Sequence, residues 1–240
     1  MKTTKVSVLL FLLTISAGIV SGQTKDTDAV KVLNDYVVAV GGEKAVNKIQ
    51  NLVSNSKLEF VGSDLSLERK IVETSSNQYF IEVNSAQTGK ITRTIDGTIC
   101  REKKGLEVRE IAGEEKQSFM NSSAFMRCAN WEKTLAEYKY EGLQNEDGKT
   151  LQKLGITSIY GAKESWYFDK ETHLLFKIEE ELELFGEKAI ASTFYSDYRK
   201  VNGVKLPFKQ TIKMPNQTRE INFSEMQANQ DIDKSIFSLR

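Results

Sequence analysis

The sequence is poor in the residues that carry out chemistry. Among its 240 residues are one histidine, His173, and two cysteines, Cys100 and Cys128. It contains no Gly-x-Ser-x-Gly, no His-Glu-x-x-His, no phosphate-binding glycine loop and no Cys-x-x-Cys pair. The same shortage of ligands argues against a structural zinc ion. We therefore expect no metal, no cofactor and no catalytic residue, and a protein that is not an enzyme.

Neither sign of charge dominates the chain. The 33 lysines and arginines are balanced by 33 aspartates and glutamates, and no polybasic run stands out. A near-neutral chain of mixed charge sets up no field that would attract nucleic acid, and it offers no basic cluster for an anionic membrane surface. We expect no nucleic-acid partner.

The two cysteines leave two alternatives open. In an oxidising compartment an even pair is typical of a disulfide, here Cys100 with Cys128. The other reading is two separate buried thiols, which pack as small hydrophobic groups.

The N-terminal segment is typical of a secretory signal peptide. Lys2 and Lys5 form a basic start, and residues 6–20 are mostly apolar but shorter than the ~20 residues of a spanning helix. Small residues end at Gly22, so we predict cleavage there and a single domain over 23–240. No cysteine follows for lipidation, which predicts a periplasmic chain without an integral membrane segment; an uncleaved anchor is the alternative.

Most of the chain alternates between apolar and polar residues with the period of a β-strand. In 174–184 the apolar set includes Leu174, Phe176, Ile178 and Leu182, and glutamates fill the other face. Turn pairs such as Asp-Gly and Asn-Gly separate the runs. The pattern predicts an α+β fold: one large, curled antiparallel sheet of about 10–12 strands, forming an incomplete β-barrel.

Helices are predicted to cover part of this sheet. An apolar stripe at helical spacing runs through residues 24–40 and ends at Gly41-Gly42, and a short helical piece follows in 43–49. Residues 114–138 lose the strand period, which indicates one or two short helices. They form either a lid over a cavity or an ordinary packed connection.

A partly covered sheet has either a filled interior or a cavity for something apolar. Aromatic residues recur at the alternating positions, so as a set they are candidates for the lining, although each alone is typical of a core. The candidates for ligand binding are Phe60, Phe80, Trp166, Phe168, Phe176, Phe194 and Phe208.

Three stretches carry a resemblance to a known family: YVVAVGGEKAVNKI at 36–49 with the strand entry at 50–60, ESWYFDKETHLLFKIE at 164–179, and FYSDYRKVNGVKLPFKQTI at 194–212. The chain resembles the LolA/LolB-like superfamily of outer-membrane lipoprotein-sorting proteins, and is similar to secreted proteins of Bacteroidetes-like bacteria. The resemblance implies a LolA-like half-barrel closed by helices, with a hydrophobic cavity that shields acyl chains. No functional residue of the family is carried over.

Three functions follow from this reading. The first is a periplasmic binding protein or carrier for a lipid, an acyl chain or a lipoprotein. The second is an envelope signalling or interaction module with a protein partner. The third is a hydrolase, for which Glu180 is the best carboxylate because it shares a face with Ile178 and Leu182; His173 is expected to be a surface turn residue.

Overall fold

The computed structural model describes residues 26–87, 89–184 and 187–239. The predicted signal peptide, residues 1–22, lies outside the described residues. Within the described part, no helix combines the length and the apolar character that crossing a membrane requires.

One antiparallel sheet forms the framework of the molecule, and it has 13 strands rather than the 10–12 expected. It does not close into a barrel, so the predicted incomplete barrel is confirmed. The strands are β1 (Asn51–Phe60), β2 (Ser66–Thr74), β3 (Gln78–Ser85), β4 (Gly89–Asp96), β5 (Ile99–Lys104), β6 (Glu107–Glu110), β7 (Leu135–Glu146), β8 (Lys149–Ser158), β9 (Lys163–Asp169), β10 (Leu175–Leu184), β11 (Glu187–Val201), β12 (Val204–Met214) and β13 (Gln217–Ala228).

The strand order makes two meanders that meet in the middle. It runs β6-β5-β4-β3-β2-β1-β13-β12-β11-β10-β9-β8-β7, so β1 pairs with β13 and the edges are β6 and β7. The chain between these two edge strands must therefore pass from one side of the curled sheet to the other. This connection is the helical segment predicted at 114–138.

Helix α1 (Thr27–Val40) covers one half of the concave face. Its buried residues are the six apolar residues of the predicted stripe: Ala29, Val32, Leu33, Tyr36, Val37 and Val40. The Asp26 carboxylate caps the helix by accepting hydrogen bonds from the amides of Asp28 and Ala29. Its other oxygen accepts from the Tyr140 amide at 2.9 Å, which ties the start of the helix to β7.

The end of α1 is fixed against the β11–β12 hairpin. Gly41 has a φ of +139°, and a Cβ there would lie 2.5 Å from the Gly203 carbonyl oxygen. Asn202 and Gly203 both have positive φ, as the predicted type I′ Asn-Gly turn requires. A short helix, α2 (Glu43–Val46), then leads into β1.

The connection between the edge strands contains α3 (Gly113–Ser122) and α4 (Trp131–Thr134). We call residues 113–134 the crossing segment. Phe119 and Met120 pack with the concave side of β2–β5, whereas Cys128 and Trp131 join the core beneath α1. The segment thus bridges two hydrophobic clusters at the two ends of the sheet.

Two strand predictions need correction. The sequence predicts one strand over 158–168, but the observed strand begins at Lys163, because residues 159–162 form the turn after β8. In β10 a register shift between Leu175 and Lys177 breaks the alternation. Leu175 and Ile178 both enter the core, so Phe176 falls on the opposite face.

The two cysteines are separate buried thiols, and the disulfide reading is not the one observed. The reason is their location: Cys100 belongs to the cluster beneath α3, while Cys128 belongs to the cluster beneath α1. The C-terminal tail folds back as expected, because a 3₁₀ turn (Lys234–Phe237) contacts β3 and β4 and buries Phe237.

Candidate functional site

A cavity of about 250 Å³ lies between α1, the crossing segment and the concave side of the sheet. Its apolar wall comes from five strands and the helix, and its roof comes from residues 122–129 of the crossing segment. The apolar lining comprises Val40, Leu52, Ile71, Leu175, Ile178, Val204, Leu206, Phe223 and Met226. The predicted lid and the predicted packed connection are therefore one structure: the segment packs into both clusters and covers the cavity.

A wider groove of about 1140 Å³ adjoins this cavity on the side of β2–β5 and α3. The two spaces share their lining at Arg69, Tyr79, Ser122, Arg127, Ile178, Tyr195 and Gln210. The cavity therefore continues into a groove large enough for a ligand of ordinary size, since such sites measure ~300–1,000 Å³.

The crossing segment is held over the cavity by one buried carboxylate, Glu164 on β9. It accepts hydrogen bonds from the Asn121 side-chain amide and the Arg127 guanidinium, each at 2.8 Å, and from the Trp166 indole at 2.6 Å. Arg127 also lies over the Trp166 ring. Because Asn121 and Arg127 both belong to the crossing segment, these contacts, which we call the Glu164 latch, join that segment to the sheet.

Two charged residues of β2 face the cavity without such compensation. Within the described residues, neither Arg69 nor Glu73 has a hydrogen bond or ion pair from its side chain. Burial raises the pKa of Glu73 to about 7 and lowers the pKa of Arg69, because a low-dielectric environment disfavours each charged form. The wall is therefore apolar with isolated polar points, the composition that orients amphipathic ligands.

Glu180, the carboxylate singled out from the sequence, lines the groove opposite Glu164 in the β9–β10 register. Burial and the neighbouring Glu164 charge raise the pKa of Glu180. His173 lies in the β9–β10 turn with a φ of +56°, away from the residues that line the groove. The described residues contain no cluster of metal-ligating side chains.

The seven aromatic residues proposed from the sequence do not line the cavity or the groove. Trp166 and Phe168 are on the predicted face, but they are fully buried and fill the core beneath α1. The Phe168 ring packs edge-on against Tyr36. These two residues support the wall of the cavity from behind.

The remaining five lie elsewhere. Phe176 packs edge-on against Phe194 on the opposite face, and the Lys177 ammonium lies over the Phe194 ring. Phe80 is adjacent in β3 to the groove residue Tyr79 and so points to the other side of the sheet. Phe60 and Phe208 are covered by guanidinium groups, from Arg219 and Arg199 respectively.

The aromatic residues that do line the cavity are mostly tyrosines. They are Tyr36, Tyr79, Tyr195, Tyr198 and Phe223. A sequence signal existed, because tyrosine has an apolar body and a polar tip suited to a surface that is partly apolar and partly wet. The aromatic residues proposed from the sequence were phenylalanines and a tryptophan, so these tyrosines were not among them.

The fold belongs to the class of open, one-sheet half-barrels closed by helices, and comparison with solved structures identifies that class. The chain is similar to a LolA superfamily protein from Nitrosomonas europaea, with a TM-score of 0.63 and 11% sequence identity, over 88% of this chain and 97% of that one. It is similar to a DUF1329 family protein from Desulfovibrio piger, with a TM-score of 0.61 and 16% identity, over 88% and 97% of the two chains.

A third similar structure is an outer membrane lipoprotein-sorting protein domain from Vibrio parahaemolyticus, with a TM-score of 0.59 and 9% identity, over 88% of this chain and 96% of that one. No family model matches the chain, and no curated protein matches it. The resemblance to the LolA-like superfamily is thus confirmed at the level of the fold.

Proposed function

We propose that this protein binds or carries a lipid or acyl chain in the cavity beneath the crossing segment. The observation that carries the proposal is the cavity itself: strands of both meanders and α1 present apolar side chains to a volume of about 250 Å³. Burying hydrocarbon there is favourable by ~25 cal/mol for each Å² removed from water. One of the proteins with the same fold is a lipoprotein-sorting domain, which agrees with this use of the cavity.

The volume limits the cargo. The enclosed part is smaller than the ~300–1,000 Å³ of common ligand sites, so it accommodates one acyl chain or part of one, while the adjoining groove takes the rest. A lipoprotein anchor with several chains would require the crossing segment to move away from the sheet. The Glu164 latch is the contact that such a movement would break.

The proposed location is the periplasm. Its support is the basic and then apolar N-terminal sequence, which resembles a cleaved signal peptide. A lipid carrier has a use there, because acyl chains crossing an aqueous compartment must be shielded from water.

The direct test is to purify the chain from residue 23 onward, extract it with organic solvent and analyse the extract by mass spectrometry. We expect co-purified lipid, and displacement of it by the fluorescent fatty acid dansyl-undecanoic acid. An empty extract together with no binding of the fluorescent probe would contradict the proposal. Recovery of an envelope protein without lipid would instead favour the interaction module.

A matched pair of variants tests the location of binding. Ala124→Phe adds a large side chain to the roof of the cavity, and we expect it to weaken probe binding while circular dichroism stays unchanged. Ala112→Phe adds the same group at an exposed position just before α3, and we expect wild-type binding. Equal binding by the two variants would place the ligand outside the cavity.

A further inference from the structure

Arg69 occupies an unusual position in the wall of the cavity. It lies in the middle of β2 and lines both the enclosed cavity and the adjoining groove. Within the described residues its guanidinium has no carboxylate partner and donates no hydrogen bond. Arg69 is half-buried, so its guanidinium donors are available to a ligand that enters either space.

A second polar group beside Arg69 is also without a partner. Ser56 of β1 pairs with Arg69 in the β1–β2 register and with Phe223 in the β1–β13 register, so all three share the concave face. The Ser56 residue is 2% exposed, and its Oγ has no hydrogen-bond partner among the described residues. Native proteins rarely leave such groups unsatisfied. Ser56 does not itself line the cavity, so its unsatisfied hydroxyl lies buried beside Arg69, and Arg69 is the polar group that reaches the wall at this point.

The surrounding charges favour an anion at this point. The enclosed cavity is lined by Arg69, Arg127 and Lys205 against a single acid, Glu73. Glu73 is four residues from Arg69 along the strand, about 13 Å at the usual strand rise. Arg127 is already paired with Glu164, so among the described residues Arg69 and Lys205 are the cavity cations without a carboxylate partner. Of these two, Arg69 also lines the adjoining groove.

The apolar lining continues directly from Arg69. Ile71 is the next residue of β2 on the same face; it pairs with Ser54 of β1, which pairs with Met226 of β13. Leu52 and Phe223 lie on the same face, one same-face position to either side of this row. A ligand with its polar end at Arg69 would thus place a hydrocarbon chain along these residues. The site has the form of a charged point followed by an apolar path.

From this arrangement we propose that Arg69 binds the oxyanion head group of a single-chain amphiphile, a carboxylate or a phosphate. The guanidinium fork matches either oxyanion through two parallel hydrogen bonds. This inference rests on the proposed function and names its ligand class. A neutral lipid of the same chain length would offer the Arg69 guanidinium no charged partner, so the site discriminates against it.

The test compares two fluorescent probes that differ only in charge, dansyl-undecanoic acid and its methyl ester, at neutral pH. We expect the wild-type protein to bind the acid about tenfold or more tightly than the ester, because hydrogen bonds to a charged group are lost in the ester. Palmitate and palmitoyl-lysophosphatidate, added as competitors, distinguish a carboxylate from a phosphate source. Equal affinity for acid and ester would overturn the head-group site while leaving the carrier function intact; binding of neither probe would contradict the carrier function.

Variants assign the preference to Arg69. We expect Arg69→Gln to remove the preference for the acid by lowering acid affinity about tenfold, with ester affinity unchanged, and Arg69→Lys to retain part of it. The control is Arg101→Gln, because Arg101 is another half-buried arginine but pairs with Thr94 on the opposite face of the sheet. A full preference for the acid in folded Arg69→Gln protein would refute the assignment. The comparison of probes on the wild-type protein decides the head-group site even where a variant fails to fold.

Discussion

Glu73 makes the stability of this protein depend on pH in an unusual direction. Its carboxyl faces the cavity without a partner among the described residues, and burial raises its pKa from 4.5 to about 7. The folded state therefore holds a proton on Glu73 that the unfolded state releases at a lower pH. Stability falls as pH rises wherever the folded state binds more protons, so Glu73 destabilises the protein progressively between about pH 4.5 and pH 7.

The size of this effect follows from the difference in pKa. Each pKa unit corresponds to about 1.4 kcal/mol, so full ionisation costs about 3 kcal/mol. Replacing Glu73 by Gln removes the titration and keeps the shape of the side chain. We expect Glu73→Gln to exceed the wild type in free energy of unfolding by about 3 kcal/mol near pH 8, and by less than about 1 kcal/mol near pH 5.

Urea unfolding followed by circular dichroism at these two pH values measures the effect. The control is Glu68→Gln on the same strand, because Glu68 is exposed and surface substitutions usually change stability by within ~0.5 kcal/mol. A constant difference between wild type and Glu73→Gln across this pH range would refute the burial of an unpaired carboxyl at the cavity.

Three further substitutions test the framework of the site. Glu164→Ala leaves the Arg127 guanidinium buried and unpaired, so we expect a loss of about 3–5 kcal/mol in urea unfolding and faster hydrogen exchange in the crossing segment; unchanged exchange would contradict the latch. Gly41→Ala places a Cβ against the Gly203 carbonyl at a positive φ, so we expect the melting temperature to fall. The fall should exceed that of Gly62→Ala, where φ is also positive but the space is open. Equal losses in the two variants would argue against the close approach of Gly41 to Gly203. Asp26→Ala removes the cap of α1 and should cost about 1–2 kcal/mol at neutral pH. Hydrogen bonds from backbone amides lower the pKa of Asp26, so the stability that the Asp26 carboxylate contributes should decrease as the pH falls and the carboxylate is protonated. A difference in stability between wild type and Asp26→Ala that stays constant with pH would refute this role of the carboxylate.

Local sequence patterns predicted the elements of this fold well. The apolar stripe of α1 matches the buried residues one for one, and the Asn202-Gly203 turn has the expected backbone. These features depend on periods of 3.6 and 2 residues and on glycine or asparagine at positive φ, which are properties of neighbouring residues. Strand limits are also close to the sequence pattern: the sequence predicts a strand over 65–74, and β2 spans Ser66–Thr74.

The predicted side-chain orientations were wrong where one extra residue changed the geometry of a strand. The bulge in β10 moves Phe176 away from the cavity and brings Leu175 into the core. An extra residue in a strand reverses the alternation after it, and composition alone gives little sign of where this happens. The aromatic candidates were selected by alternation, which identifies a face but does not separate a filled core from the wall of a cavity.

By itself, then, the sequence determined that the chain forms a large one-sided antiparallel sheet with an amphipathic helix to cover it, because alternation and helical spacing are local properties. Only the tertiary structure decided which part of the concave face stays unfilled, and that Arg69 and Phe223 reach it from the two strands on either side of Ser56. Their proximity depends on the register of β1 with β2 and β13, which joins residues that are far apart in the chain. Register over such distances is set by the packing of the whole sheet, and no local pattern contains it.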